Sequence, residues 1–181
     1  MDAIPPEHPR PEREPKLPRA FATGYRAHMG DMMVYGGGVL TIIGVLATFI
    51  NAAPVFLLIS LAGTISAAYF RPTIDTQRPQ LGADVNGIYV ARFGILPWER
   101  VADMRIEYHA LRTMQLSTLV IVPSGPLSEA IVQPDRVPLA ERFASRNARL
   151  KAGEIRVPLH PLAMKPEDIE ARLKALRAAA G

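Results

Sequence analysis

Four histidines, seventeen carboxylates and no cysteine are what this 181-residue chain offers to chemistry. His8, His28, His109 and His160 lie far apart in the sequence. No His-x-x-x-His or Glu-x-x-His spacing joins two of them on a helix face, as a metal centre would need. Without cysteine there is no disulfide, no thiol nucleophile and no thiolate ligand for zinc or iron–sulfur clusters. Glu99, Asp103 and Glu107 recur every four residues, which on a helix would be one acidic face. The residues around them alternate with period two, so they read as solvent-facing side chains of a strand rather than an acid–base pair. Gly36-Gly37-Gly38 lacks the Lys-Ser/Thr of a phosphate loop, and Trp98, the only tryptophan, reads as core. The expectation is a protein with no catalytic residues, no cofactor and no metal.

One charged run stands out. Between Arg136 and Lys151 there are five basic residues and one acid. Read as a helix over residues 138–150, it places Leu139, Phe143 and Leu150 on one face and Arg142, Arg146 and Arg149 on the next. Residues 71–181 hold sixteen Lys/Arg against twelve Asp/Glu, so the positive balance of the chain lies there. Arg142, Arg146 and Arg149 are therefore candidate contacts to an anionic membrane surface. Nucleic acid is not expected, because only Phe143 interleaves with the arginines.

The elements that must position these residues are set by a stretch without charge. Met32 to Phe70 is thirty-nine residues with no Asp, Glu, Lys or Arg, broken once by Asn51-Ala52-Ala53-Pro54. The two segments, 32–50 and 54–70, would rise roughly 28 and 26 Å as helices, near the ~30 Å of a bilayer core. Pro54 suits a first helical position, where its missing N–H is no loss. A two-helix transmembrane hairpin is predicted. Small residues line a face of each helix: Gly37, Thr41, Gly44 and Thr48 on the first, and Ser60, Gly63 and Ala67 on the second. Such faces let membrane helices approach closely. Lys16, Arg19 and Arg26 precede the hairpin and Arg71 and Arg78 follow it, while the turn has no charge. Both ends are thus expected in the cytoplasm. Phe21 and Tyr25 on one side, with Tyr69 and Phe70 on the other, fit an interfacial aromatic belt.

Residues 1–31 read as a proline-rich disordered or extended cytoplasmic tail, with too little apolar surface to offset the entropy of ordering. After residue 70 the pattern turns to short strands. Leu81 to Val85 and Ile88 to Ala91 flank Asn86-Gly87, which suits a type I′ hairpin turn. Arg92-Phe93-Gly94 marks a second turn. Strands are expected over 95–101, 103–109, 116–122, 127–132 and 154–159, with Met104, Ile106 and Tyr108 alternating inward. Pro166 opens a closing helix over 166–179, with Ile169, Leu173 and Leu176 as its apolar stripe and acids in its first turn.

Gly87-Ile88-Tyr89-Val90, then Ile95-Leu96-Pro97-Trp98-Glu99-Arg100-Val101, then the closing helix, resemble a known group. These are the small bacterial membrane proteins with a two-helix hairpin followed by a pleckstrin-homology-like (PH-like) domain. The resemblance runs in order over residues 32–180 and rests on short motifs. It implies a small antiparallel barrel capped by the C-terminal helix, an inner-membrane location, and a binding platform of largely unassigned function. It carries over no lipid-head-group site, because the first hairpin holds Asp84 and, as a base, only Arg92.

The sequence thus predicts a membrane α-helical hairpin (32–70) and a cytoplasmic α+β domain (71–181). The function expected is a non-enzymatic membrane-anchored binding or scaffolding module. The alternative is an accessory or assembly subunit of a larger inner-membrane complex. The expected partners are the bilayer, other membrane proteins and anionic lipid.

Overall fold

The computed structural model describes residues 18–111, 114–137 and 143–181. The proline-rich run before Pro18 and the candidate Arg142 lie outside the described residues.

The body is α+β, built from two antiparallel sheets. In the first, β1 (Phe21–Thr23), β2 (Leu81–Ala83), β3 (Gly87–Val90), β4 (Gly94–Pro97) and β7 (Gln133–Pro134) are neighbours in that order. In the second the order is β5 (Val101–Leu111), β6 (Met114–Pro123), β9 (Glu154–Pro158) and β8 (Arg149–Lys151). Neither sheet closes on itself, so the expected barrel is not formed.

Period-two alternation accounts for the core. Across the first sheet, Phe21, Ala83, Ile88 and Leu96 stand in one cross-strand row and are all buried. The next row, Ala22, Gly82, Tyr89 and Ile95, faces outward. The second sheet adds Leu119, Ile121, Ile155 and Val157, with Met104 and Ile106 packed against them. The closing helix α4 (Pro166–Ala180) seats Ile169, Leu173 and Leu176 in the same core with no exposure. Proline at its start and Glu167 and Asp168 in its first turn match the signals read from the sequence. Trp98, in a single 3-10 turn after β4, is buried and donates from Nε1 to the Asp84 carbonyl at 2.8 Å.

Several expectations are corrected. Neither Asn86 nor Gly87 takes the left-handed backbone that a type I′ turn requires. Instead the Asp84 carboxylate accepts from the N–H groups of Asn86 (2.8 Å) and Gly87 (3.0 Å), closing the turn with its own side chain. Residues 127–132 are not a strand: after Pro126, Leu127–Ala130 form a short helix, α3. The described part of 138–150 is irregular and then extended, with Arg149 and Leu150 on β8. Sheet pairing with β9 overrides the helical spacing there. Phe21 and Tyr25 do not form an aromatic belt. Phe21 is buried in β1, and Tyr25, only 4 % exposed, bridges to Leu162. Desolvation raises the Tyr25 hydroxyl above its ordinary pKa.

Ahead of β2 lie the two apolar helices, α1 (Asp31–Asn51) and α2 (Phe56–Phe70). α1 is long and apolar enough to cross a membrane; α2, at 15 residues, is shorter than that. Pro54 does not open α2. It sits in a tight turn in which Leu57 donates to its carbonyl at 3.0 Å, and Ala52 ends α1 in the left-handed conformation (φ 52°).

Candidate functional site

The helices pack antiparallel through their small residues. A Cβ placed on Gly37 would lie 2.7 Å from the Gly63 carbonyl, and one on Gly44 2.5 Å from the Ser60 nitrogen. The reverse approach, Gly63 to the Thr41 hydroxyl, is 2.8 Å. Thr41 Oγ1 donates to its own Gly37 carbonyl (2.9 Å) and lies 3.2 Å from Thr64 Oγ1 across the pair. Backbones this close leave room for no larger side chain. The structure therefore brings together Gly37, Thr41, Gly44, Ser60, Gly63 and Ala67. Thr48 donates to the Gly44 carbonyl at 2.8 Å, within its own helix.

Away from that seam both helices are apolar all round. Met32, Ile42, Phe49 and Ile50 on α1, and Leu58 and Ile65 on α2, are at least 59 % exposed. A helix apolar on every face belongs in a lipid or protein interior, not in water. Gly36 and Gly38 on α1 have open space where a side chain would stand.

At the foot of α2 the apolar pair meets the body. The Ser145 N–H donates to the Tyr69 carbonyl at 2.8 Å, and Thr73 Oγ1 donates to that of Phe70 at 2.6 Å, so the last two carbonyls of α2 are satisfied. Beside it opens a cavity of about 730 Å³ lined by Tyr69, Arg92, Phe93, Phe143, Arg146 and Arg149 among others, with no carboxylate among the described residues of its wall. Arg92 is at the β3–β4 turn in the left-handed conformation (φ 70°), unusual for a side-chain-bearing residue. Asp135 holds it there by accepting its N–H at 2.8 Å, while its guanidinium reaches the carbonyls of Ala144 (3.4 Å) and Ser145 (3.5 Å). Asp135 also accepts from the Tyr89 hydroxyl, whose pKa is raised by burial first and by that carboxylate second. Arg146 and Arg149, paired by sequence reasoning as one helix face, thus meet in one groove by another route. Arg92, which completes the groove, was missed as a partner for them. Its only signal was the turn it occupies.

The remaining chemistry-bearing residues do not converge. Glu107 belongs to a ring of ion pairs on the outer face of the second sheet: Arg105–Glu154 2.8 Å, Arg156–Glu154 2.9 Å, Arg156–Glu107 3.1 Å and Arg105–Glu107 3.2 Å. Val120 lies directly between Arg105 and Arg156 in register and is fully buried. Asp103 lies 3.5 Å from Arg105, while Glu99 stands exposed in the 3-10 turn. His28 is 2.7 Å from Asp31 at the start of α1, and His109 is 3.5 Å from Glu107. Burial and Arg26 together lower the pKa of His160. Among the described residues no three His, Asp or Glu are grouped so as to hold a metal ion.

Fold and site together define an α+β body carrying an apolar helix that could span a membrane, with an arginine-lined groove at the junction. Compared with protein-family models, curated proteins and solved structures, the chain matches none.

Proposed function

We propose that the chain is a non-enzymatic, membrane-anchored binding or scaffolding module. α1 and α2 cross a bacterial inner membrane as a hairpin, and the body faces the cytoplasm as a PH-like platform. One observation carries this reading: β1 precedes the helices, β2 follows them, and the two pair in register from Phe21–Ala83 to Thr23–Leu81. Strands in one sheet lie on one side of any bilayer, so if α1 crosses, the chain must cross back. Only α2, apolar on its outer faces, is placed to do so. At 15 residues it would need local thinning of the bilayer or the Pro54 turn drawn into the interface. The PH-like reading of the body draws on its strand order and closing helix.

The chain has no cysteine, so single thiols report its topology cleanly. In sealed inner-membrane vesicles with the cytoplasmic face outward, an impermeant maleimide should label Ala180→Cys at once. Ala53→Cys should react only after permeabilisation. Labelling of both positions in intact vesicles would sink the hairpin.

A second reading, an accessory or assembly subunit of a larger complex, is favoured by Gly36 and Gly38, whose open faces would admit another helix. Mass determination after gentle extraction separates the two. A lone chain or small homo-oligomer supports the free module, and a stoichiometric hetero-assembly supports the subunit.

A further inference from the structure

The second sheet has two edges of different character. One is β8, three exposed residues that read Arg149-Leu150-Lys151. An edge so short and basic discourages pairing with another chain. The other is β5, eleven residues long, with neither the proline nor the lysine that commonly guard an edge. Among the described residues, β6 is the only strand that pairs with it. At its start Arg177 donates to the carbonyls of Val101 and Ala102, beside the register shift, so the open run begins at Asp103. β9 pairs only with Thr118–Ile121 of β6, so beyond Glu107 the β5–β6 ribbon projects past the rest of its sheet. Tyr108 on that projection is 53 % exposed, and the side chains of Asp103 and His109 are exposed to 60 % and 61 %.

We propose that β5 is the docking edge for β5 of a second copy of this chain, paired antiparallel about a two-fold axis at Ile106. The strand is self-complementary about that residue. Asp103 falls opposite the second copy's His109, Arg105 opposite its Glu107, and Met104 opposite its Tyr108, each match occurring twice by symmetry. The charged residues of both copies share the outer face, and Met104, Ile106 and Tyr108 share the other. Opposite charges directly across an antiparallel pair stabilise it, and like charges oppose it. That selects the register. Centring on Arg105 would set arginine against arginine and Asp103 against Glu107, and centring on Glu107 would set two carboxylates together. Arg105 and Glu107 already pair with Glu154 and Arg156 of their own chain, so the ring of ion pairs runs on from one copy into the other. The order β8-β9-β6-β5 then continues through the axis into the same four strands of the second copy. The pairing uses the body alone and does not depend on the helices crossing a bilayer.

Because the chain has no cysteine, single thiols can read the register directly. Full-length D103C and H109C proteins with different tags are purified in neutral detergent, mixed and oxidised. Positions 103 and 109 of the two copies face each other within disulfide reach, whereas position 103 of one copy lies roughly 20 Å from position 103 of the other. The mixture should yield a cross-linked dimer carrying both tags, and neither protein oxidised alone should cross-link. K151C, on the opposite edge, should cross-link with neither. Light scattering of the unsubstituted chain, corrected for detergent, should show two copies per particle, falling towards one on dilution. Asp103 and His109 are exposed, so the circular dichroism melts of D103C and H109C should match the wild type and exclude misfolding as the cause of a missing cross-link. A single copy at the highest concentration reached, a mixture that does not cross-link, or D103C alone cross-linking as readily as the mixture would each overturn the pairing.

Discussion

Ser145 and Tyr69 are joined by a backbone hydrogen bond of 2.8 Å, and it is a direct tie between the apolar helices and the loop that carries Arg146. Proline at 145 removes the donor and leaves the Tyr69 carbonyl without it. S145P should therefore loosen the foot of α2. Limited chymotrypsin treatment should cut after Tyr69 or Phe70 several-fold faster than in the wild type, with the strands of the body still protected.

The two helices should respond oppositely to the same substitution at neighbouring glycines. Leucine at Gly63 would collide with the Gly37 carbonyl and with Thr41, whereas leucine at Gly36 meets open space. G63L should cost about 1–3 kcal/mol of stability in detergent. G36L should be close to neutral for the lone chain. Thermal unfolding of both, followed by helical circular dichroism, checks the contrast.

Trp98, just after β4, is fastened to the β2–β3 turn through its bond to the Asp84 carbonyl. W98F keeps an aromatic ring in the core but removes the donor and part of the buried volume, so a loss of about 1–3 kcal/mol is expected. Urea titration of the full chain in a fixed detergent should show the midpoint falling with an unchanged slope.

Acid should weaken the second sheet. Hydrogen bonds from Arg105, then from Arg156, hold the Glu154 carboxyl below its ordinary value of 4.5. Folding thus favours its ionised form. The resulting stability is present above the ordinary carboxyl range and is lost as the pH falls through the depressed folded value. Glu170 behaves likewise through Lys174. The melting temperature should decline below about pH 4.5, and an E154Q protein should show a shallower decline. Identical pH profiles for the two proteins would remove Glu154 from the account.

Arg177 reaches from α4 to the carbonyls of Val101 and Ala102, each at 3.1 Å, where the β5–β6 register shifts. These are charge-assisted bonds at a partly exposed place. R177M should cost about 1 kcal/mol and increase amide exchange first at residues 101–103.

Much of this arrangement was legible from local pattern. The uncharged stretch 32–70, the inward Met104 and Ile106, and the stripe Ile169–Leu173–Leu176 are periodicities that a short window contains. Three things were not. The Phe21–Ala83 pairing joins residues sixty-two apart across two helices, and Phe21-Ala22-Thr23 alone is too brief to read as a strand. Residues 149–151 have helical spacing, yet their backbone is claimed by β9. The groove draws Arg92 from one sheet and Arg146 and Arg149 from a loop and a strand of the other half of the body. Its charge is visible in composition, and its concentration only in space.

The β1–β2 pairing has a consequence in time. The chain emerges from the ribosome with Phe21–Thr23 finished well before its partner Leu81–Ala83 exists. At ordinary synthesis rates the interval is roughly 3–12 s. Through that interval Phe21 has no core to enter, and the edge strand waits as solvated backbone. It can dock only after both helices have been made and Leu81–Ala83 has come back alongside it. An inserted chain whose second helix failed to return would keep β1 and β2 on opposite faces, with Leu81 and Ile88 uncovered and open to proteases. On the proposed hairpin topology, the first sheet would be completed only on chains in which both helices had crossed.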